Sequence, residues 1–280
     1  MSWRIEVTHR STYRYESEVS SSYNEARMTP IDTERQRVLS TRFDVVPSCS
    51  AMYYTDYWGT SVCAFDISTR HSEMQITSRC LVETSEPRPF SNETTWDHLA
   101  DPLMPDRYGE YLTQTPMTAS DDRVVSAAAR LAVGLTPREA ADAAVQWVRS
   151  QLDYRPGVTQ VSTTATEALG AGVGVCQDFV HLTLSVLRAM GIPARYVSGY
   201  LHPDADAATG SVVSGQSHAW VEAWTGDWLA HDPTNGSEVG PQHVVVGRGR
   251  DYRDVAPLTG VYQGGRGTDP IVEVELRRLG

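Results

Sequence analysis

Apolar residues in this chain recur at every second position through roughly the first 80 residues and at every third or fourth between about 120 and 190, and this change of period constrains the fold most. Trp3, Ile5 and Val7 alternate, Val62, Ala64 and Asp66 form a second alternation, and Met74, Ile76 and Ser78 a third. Tyr13, Tyr15, Tyr53, Tyr54 and Tyr57 suit a pleated, half-buried surface. Residues 1–85 therefore read as an antiparallel β domain. Residues 86–117, with Pro87, Pro89, Pro102 and Pro105, break both periods and read as a linker or surface connection. Residues 118–280 read as a second, α+β core ending in a C-terminal strand.

Helix starts in that core carry capping chemistry. Ser120 stands before Asp121 and Asp122, and an apolar stripe follows to Gly134. Thr136-Pro137-Arg138-Glu139 and Thr164-Ala165-Thr166-Glu167 are capping boxes, the first with Pro at the first helical position. A further helix begins at Cys176, because Phe179, Val180, Thr183, Val186, Leu187 and Met190 recur at helical spacing until Gly191 and Pro193 stop it. Strands follow at 194–201, 217–224 and 228–232, the last two joined by a turn at 225–227, and Val272 to Leu276 alternates again.

The formal charge is −11, so a phosphate backbone would meet repulsion over most of the surface and nucleic acid is not an expected partner. All 24 basic residues are Arg, so the chain has no ε-amine of its own with which to form an isopeptide bond. Cys49, Cys63, Cys80 and Cys176 lie 14, 17 and 96 residues apart, without zinc-ligand spacing or a disulfide framework, and no cofactor motif is present. Met1 to Glu6 is charged where a secretory signal needs an apolar run, and no stretch approaches the ~18 apolar residues of a membrane span. The expectation is a cytoplasmic protein without a membrane partner.

Cys176 follows Gly172-Val173-Gly174-Val175 and opens a helix, where unpaired N–H groups favour a thiolate and face a developing oxyanion. A free thiol titrates near ~8.5, and a helix end, at roughly 0.3–2 kcal/mol, lowers that by about one unit at best. An imidazolium is needed as well, so the cysteine predicts a histidine. His218 is the candidate, at the start of a strand. If 217–224 and 228–232 form a hairpin, the residue opposite His218 falls between 232 and 235, which puts Asp232 beside it as the group that orients the ring.

Gly174-Val175-Cys176-Gln177-Asp178, Arg195-Tyr196-Val197-Ser198-Gly199-Tyr200, Ser217-His218-Ala219-Trp220-Val221-Glu222 and Asp232-Pro233-Thr234-Asn235 resemble, in order, the motifs of bacterial transglutaminase-like proteins. These belong to the transglutaminase-like and papain-like cysteine hydrolase superfamily. The likeness extends to Gly247-Arg248, Asp251-Tyr252 and Asp254-Val255-Ala256-Pro257, and to the β-rich N-terminal domain. It implies a papain-like core with the Cys on a helix packed against an antiparallel sheet. It also implies acyl transfer through a thioester, by hydrolysis of a peptide, protein or small amide, or else by transfer to an amine. Papain-like sites add a side-chain oxyanion donor, for which Tyr154 is the candidate. The competing class is a scaffold that keeps the fold to bind a peptide while the cysteine is idle.

Overall fold

The computed structural model describes residues 2–87, 93–204, 206–215 and 217–280. Five strands come first: β1 (Ser2–Ala26), β2 (Gln36–Val46), β3 (Ala51–Thr55), β4 (Ser61–Ile67) and β5 (His71–Ser85). The long β1 organises them. Its first half pairs antiparallel with β5 and buries Trp3, Ile5 and Val7 on one face, while its second half pairs with β4. Alternation in the sequence thus becomes one dry and one wetter face.

The stretch expected to be a linker is structured. It holds α1 (Trp96–Leu99) and α2 (Met104–Leu112), and Leu99 and Met104 lie in the main apolar core. Proline does not break this stretch: Pro105 sits in the first turn of α2, where a missing N–H costs nothing, and Thr95 caps α1 by accepting from the His98 N–H. Pro89 lies outside the described residues.

Next come α3 (Asp122–Leu131), α4 (Pro137–Gln151), β6 (Asp153–Tyr154), α5 (Ala165–Ala171), β7 (Val173–Gly174) and α6 (Cys176–Ala189). Both threonine capping boxes close reciprocally, at Thr136 with Glu139 and at Thr164 with Glu167. The cap of α3 is Asp121, whose carboxylate accepts from the N–H groups of Arg123 and Val124. Helix α6 is buried almost throughout and packs on α3, α4, α5 and a second sheet. Each of its buried Phe, Val and Leu side chains contributes roughly 1.5–3 kcal/mol of transfer free energy, which anchors the helix that Cys176 begins.

That second sheet is antiparallel, built from β8 (Ala194–Leu201), β10 (Ser217–Trp224), β11 (Trp228–Asp232), β12 (Ser237–Glu238) and β13 (His243–Gly249) in the order β12-β11-β10-β8-β13. Between β8 and β10 the chain detours into the first sheet as β9 (Val212–Gly215), and it ends there as β14 (Leu258–Gly264) and β15 (Ile271–Arg278). The expected C-terminal strand exists, but it pairs with β1, so residues 118–280 do not form a self-contained core. A shared cluster joins the sheets, with Trp3, Ile5, Val82 and Leu276 packed against Tyr200, Val244 and Val246. Gln36 adds two 2.8 Å hydrogen bonds to the backbone of Val245.

Candidate active site

Local chemistry fixes where the Cys176 sulfur sits. The parallel bridge of β6 to β7 sets Tyr154 opposite Gly174. A Cβ on Gly174 would lie 2.7 Å from the Asp178 Cβ, so only glycine lets the strand pass that close to the helix start. One Asp178 carboxylate oxygen accepts from the Val175 N–H at 2.8 Å and from the Thr159 hydroxyl at 2.7 Å. The first helical hydrogen bonds come from the N–H groups of Asp178 and Phe179, both to the Val175 carbonyl. The N–H groups of Cys176 and Gln177 precede them and stay outside the helical ladder, where a reacting carbonyl oxygen can use them.

His218 and Asp232 meet as the hairpin geometry demands. The pairing runs Trp224↔Trp228 to Val221↔His231, and carried onward it sets Thr234 opposite His218, with Asp232 the diagonal neighbour on the same face. The ring Nε2 of His218 lies 2.7 Å from Asp232 Oδ2. Its other nitrogen, Nδ1, takes no part in that bond, and Cys176 lines the same cleft as His218. Burial opposes charge on this ring, but the hydrogen-bonded Asp232 carboxylate and the neighbouring Cys176 outweigh it, and the imidazolium persists up to about 9.

Asp232 is itself held on every side. Oδ1 accepts from the N–H groups of Thr234 (3.0 Å) and Asn235 (3.1 Å), while Oδ2 takes His218 and the Asn235 side-chain amide at 2.8 Å. His243 Nε2 approaches the same oxygen at 3.5 Å, and its Nδ1 accepts from the Gly240 N–H, which leaves the proton on the side facing Asp232. Although burial penalises the carboxylate, these donors keep it ionised well below the usual carboxylate range. His218, Asp232 and His243 bring three possible ligand atoms within 4.8 Å of one another. The 2.7 Å separation of His218 and Asp232 is that of a shared proton, since two ligands of one tetrahedral zinc stand roughly 3.3 Å apart.

Asn235 and His243 escaped the sequence reading. Asn235 had a local signal, three residues past Asp232 in a turn that wraps the carboxylate, whereas His243 arrives from β13 by tertiary packing. Tyr154 lines the same cleft as Cys176, His218, Thr234 and Asn235, a space of about 430 Å³. Burial and the neighbouring Cys176 push its phenol up, so it keeps its proton. His181 is buried inside α6 and accepts from the Tyr252 N–H. Trp220 and Trp224 are buried, and Trp228 is stacked by Arg195 at 3.9 Å.

Residues 126–233 match the transglutaminase-like superfamily core, and residues 5–83 match the bacterial transglutaminase-like N-terminal region. A protein of Mycobacterium leprae, itself uncharacterized, is 49% identical over 277 residues and covers 99% of both chains. The chain belongs to the transglutaminase-like superfamily. An uncharacterized relative from Mycobacterium tuberculosis is 33% identical across 92% of this transglutaminase-like chain and 87% of its own. The protein-glutamine gamma-glutamyltransferase of Pseudomonas aeruginosa is 38% identical over 78 residues, 26% of this chain and 11% of that one. Among solved structures, a candidate cysteine protease from Cytophaga hutchinsonii superposes with a TM-score of 0.77 at 21% identity, covering 98% of this chain and 90% of that one, so the fold is shared end to end.

Proposed function

We propose that the protein is a thiol acyltransferase that cleaves amide bonds through a thioester on Cys176, with water as the usual acceptor. The observation that carries this is the position of His218, which lines the same cleft as Cys176 and holds the ionised Asp232 at 2.7 Å through one ring nitrogen. In the reaction the Cys176 thiolate attacks the amide carbonyl carbon. The oxygen becomes an oxyanion facing the N–H groups at the start of α6, with Tyr154 as a further donor. His218 gives its proton to the leaving amine, the C–N bond breaks and a thioester remains. Water then attacks the thioester, His218 taking up its proton, and the carboxylic acid leaves.

Solvent reaches the site, since Asn235 on the rim is exposed and Tyr154 is 49% exposed, and this favours water as acceptor. The local likeness to a gamma-glutamyltransferase supports a second reading, in which a primary amine resolves the same thioester. The four cysteines are all free, which fits a reducing compartment, and the cytoplasm is the location we propose. Among the described residues no helix is long and apolar enough to cross a membrane.

Mass spectrometry of the protein exposed to a peptide library, with and without added glycine ethyl ester, tests both readings. An acyl group on Cys176 that hydrolyses in buffer is expected, and amide products appearing only with the added amine would shift the reading to transfer. No adduct on Cys176 with any library member, and equal iodoacetamide labelling of all four cysteines in the folded protein, would overturn the proposal.

A further inference from the structure

β9 is the outermost strand on its side of the first sheet, beyond β15. The register runs Val212↔Arg277, Val213↔Leu276, Ser214↔Glu275 and Gly215↔Val274, and just before it the Ser211 carbonyl accepts from the Arg278 N–H at 3.2 Å. Antiparallel partners exchange hydrogen bonds at every other residue. Val213 and Gly215 therefore turn their N–H and C=O groups towards β15, and Val212 and Ser214 turn theirs away from it. Those four outward groups take no hydrogen-bond partner among the described residues.

This free edge leads into the candidate active site. Ser214 and Gly215 form one wall of the cleft that holds Cys176 and His218. The same two residues also line a groove of about 450 Å³ that continues over Thr8, Arg10, Glu273 and Glu275 on β1 and β15. Gly215 seats the strand tightly on its neighbour, since a Cβ there would stand 2.1 Å from the Leu276 Cδ1. An unpaired edge is a template for another strand, and natural sheets protect such edges unless they use them.

We propose that β9 is a substrate-binding strand: an extended polypeptide segment pairs through its main chain with Val212 and Ser214 and is thereby led across the cleft to Cys176. The inference rests on Cys176 being the nucleophile and names its substrate class. Main-chain pairing is tolerant of side chains, so the preferred substrate is an unfolded or extended segment of broad sequence, and compact domains are poor substrates. It also gives the N-terminal sheet a direct part in the reaction, because β9 is held in place by β15 and β15 by β1.

An epoxysuccinyl diamide, which alkylates an active thiol, tests this when its two ends are either methylamides or trialanine arms. The trialanine reagent is expected to label Cys176 at least about tenfold faster than the methylamide reagent, since several main-chain hydrogen bonds are added. That ratio should fall to about one in Ser214→Pro, which deletes an outward N–H at a sheet edge where proline is tolerated. Should that variant misfold, N-methylated trialanine arms on the unaltered protein make the same measurement. Equal rates for the two reagents, or a ratio that survives both N-methylation and Ser214→Pro, would overturn the proposal. So would a dimer in sedimentation that Ser214→Pro splits, because β9 would then pair with a second copy. Failure of both reagents and of iodoacetamide to favour Cys176 would instead overturn the reaction assigned above.

Discussion

The molecule keeps its thiols in two settings. Cys63 and Cys80 are buried in the first sheet and Cys49 is partly covered there, and burial pushes all three thiols up. Cys80 has the hydroxyl of Ser78 at 3.4 Å, and Cys63 has Tyr53. Neither partner supplies positive charge. Cys176 stands at the first position of a helix, beside an imidazolium held by a carboxylate. The contrast is one of neighbours rather than of side chain: three thiols sit among apolar groups or neutral hydroxyls, and the fourth faces a cleft with a histidine.

The comparison breaks most directly at the sulfur. Cys176→Ala should lower turnover of the peptide library by ~10⁴-fold or more, while Cys49→Ser should leave it within about twofold, as initial rates will show. Equal losses in the two variants would mean that the settings do not differ in chemistry. Next is the brace. Asp232→Asn removes the acceptor that fixes the His218 ring, and a fall of roughly 10²–10⁴ in kcat/KM is expected. Iodoacetamide labelling of Cys176 at neutral pH should fall with it, towards the rate of Cys49.

The pH profile sharpens the same contrast. Since His218 keeps its proton up to about 9, kcat/KM should decline above that pH as the general acid is lost, and Asp232→Asn should move this limb to lower pH. Stability follows the same groups. The raised His218 stabilises the fold fully below its unfolded value of ~6.5, and that contribution is lost as pH rises through about 9. The depressed Asp232 contributes above its unfolded value of ~3.9 and loses that contribution as pH falls. Urea midpoints measured from pH 4 to 10 should therefore differ most between the protein and Asp232→Asn between about 4 and 6.5, and the difference should narrow as pH rises through about 9, when only the part owed to the His218 charge is lost. A difference that grows above pH 9 would contradict the imidazolium.

Smaller effects on rate are expected further out. Asn235→Ala removes one of the donors to Asp232 Oδ2, and a rate loss of roughly five- to tenfold is expected, close to one hydrogen bond. Glu222 belongs to the sheet and not to the cleft. It is buried, held at about 2 by Arg248 and Arg195 against the cost of burial, and its carboxylate meets Arg248 Nε at 2.9 Å. Glu222→Gln should cost about 3–5 kcal/mol in urea unfolding yet leave the preference of iodoacetamide for Cys176 unchanged in the folded fraction.

Local signals made much of this visible in the sequence. The capping boxes at Thr136 and Thr164, the helix from Cys176, and the hairpin that sets His218 near Asp232 depend on residues within a few positions of one another. Long-range pairing was not legible. Nothing near Val272 announces that its strand will pair with β1, and nothing near His243 announces that its ring will reach Asp232. The helix at 104–112 was hidden for another reason, because proline is a breaker inside a helix and a welcome residue in its first turn, and the one at 96–99 is a single turn, too short to show a period.

The pairing of β1 with β15 also sets an order of assembly. The earliest strand of the chain must wait for residues 271–278 before it acquires this neighbour, and only then does β9 have a strand to dock on. During synthesis the wall that β9 gives to the cleft is therefore among the last parts to form. A ribosome-bound or prematurely terminated chain would carry the sulfur, the imidazole and the carboxylate without that wall, with the cleft open on that side.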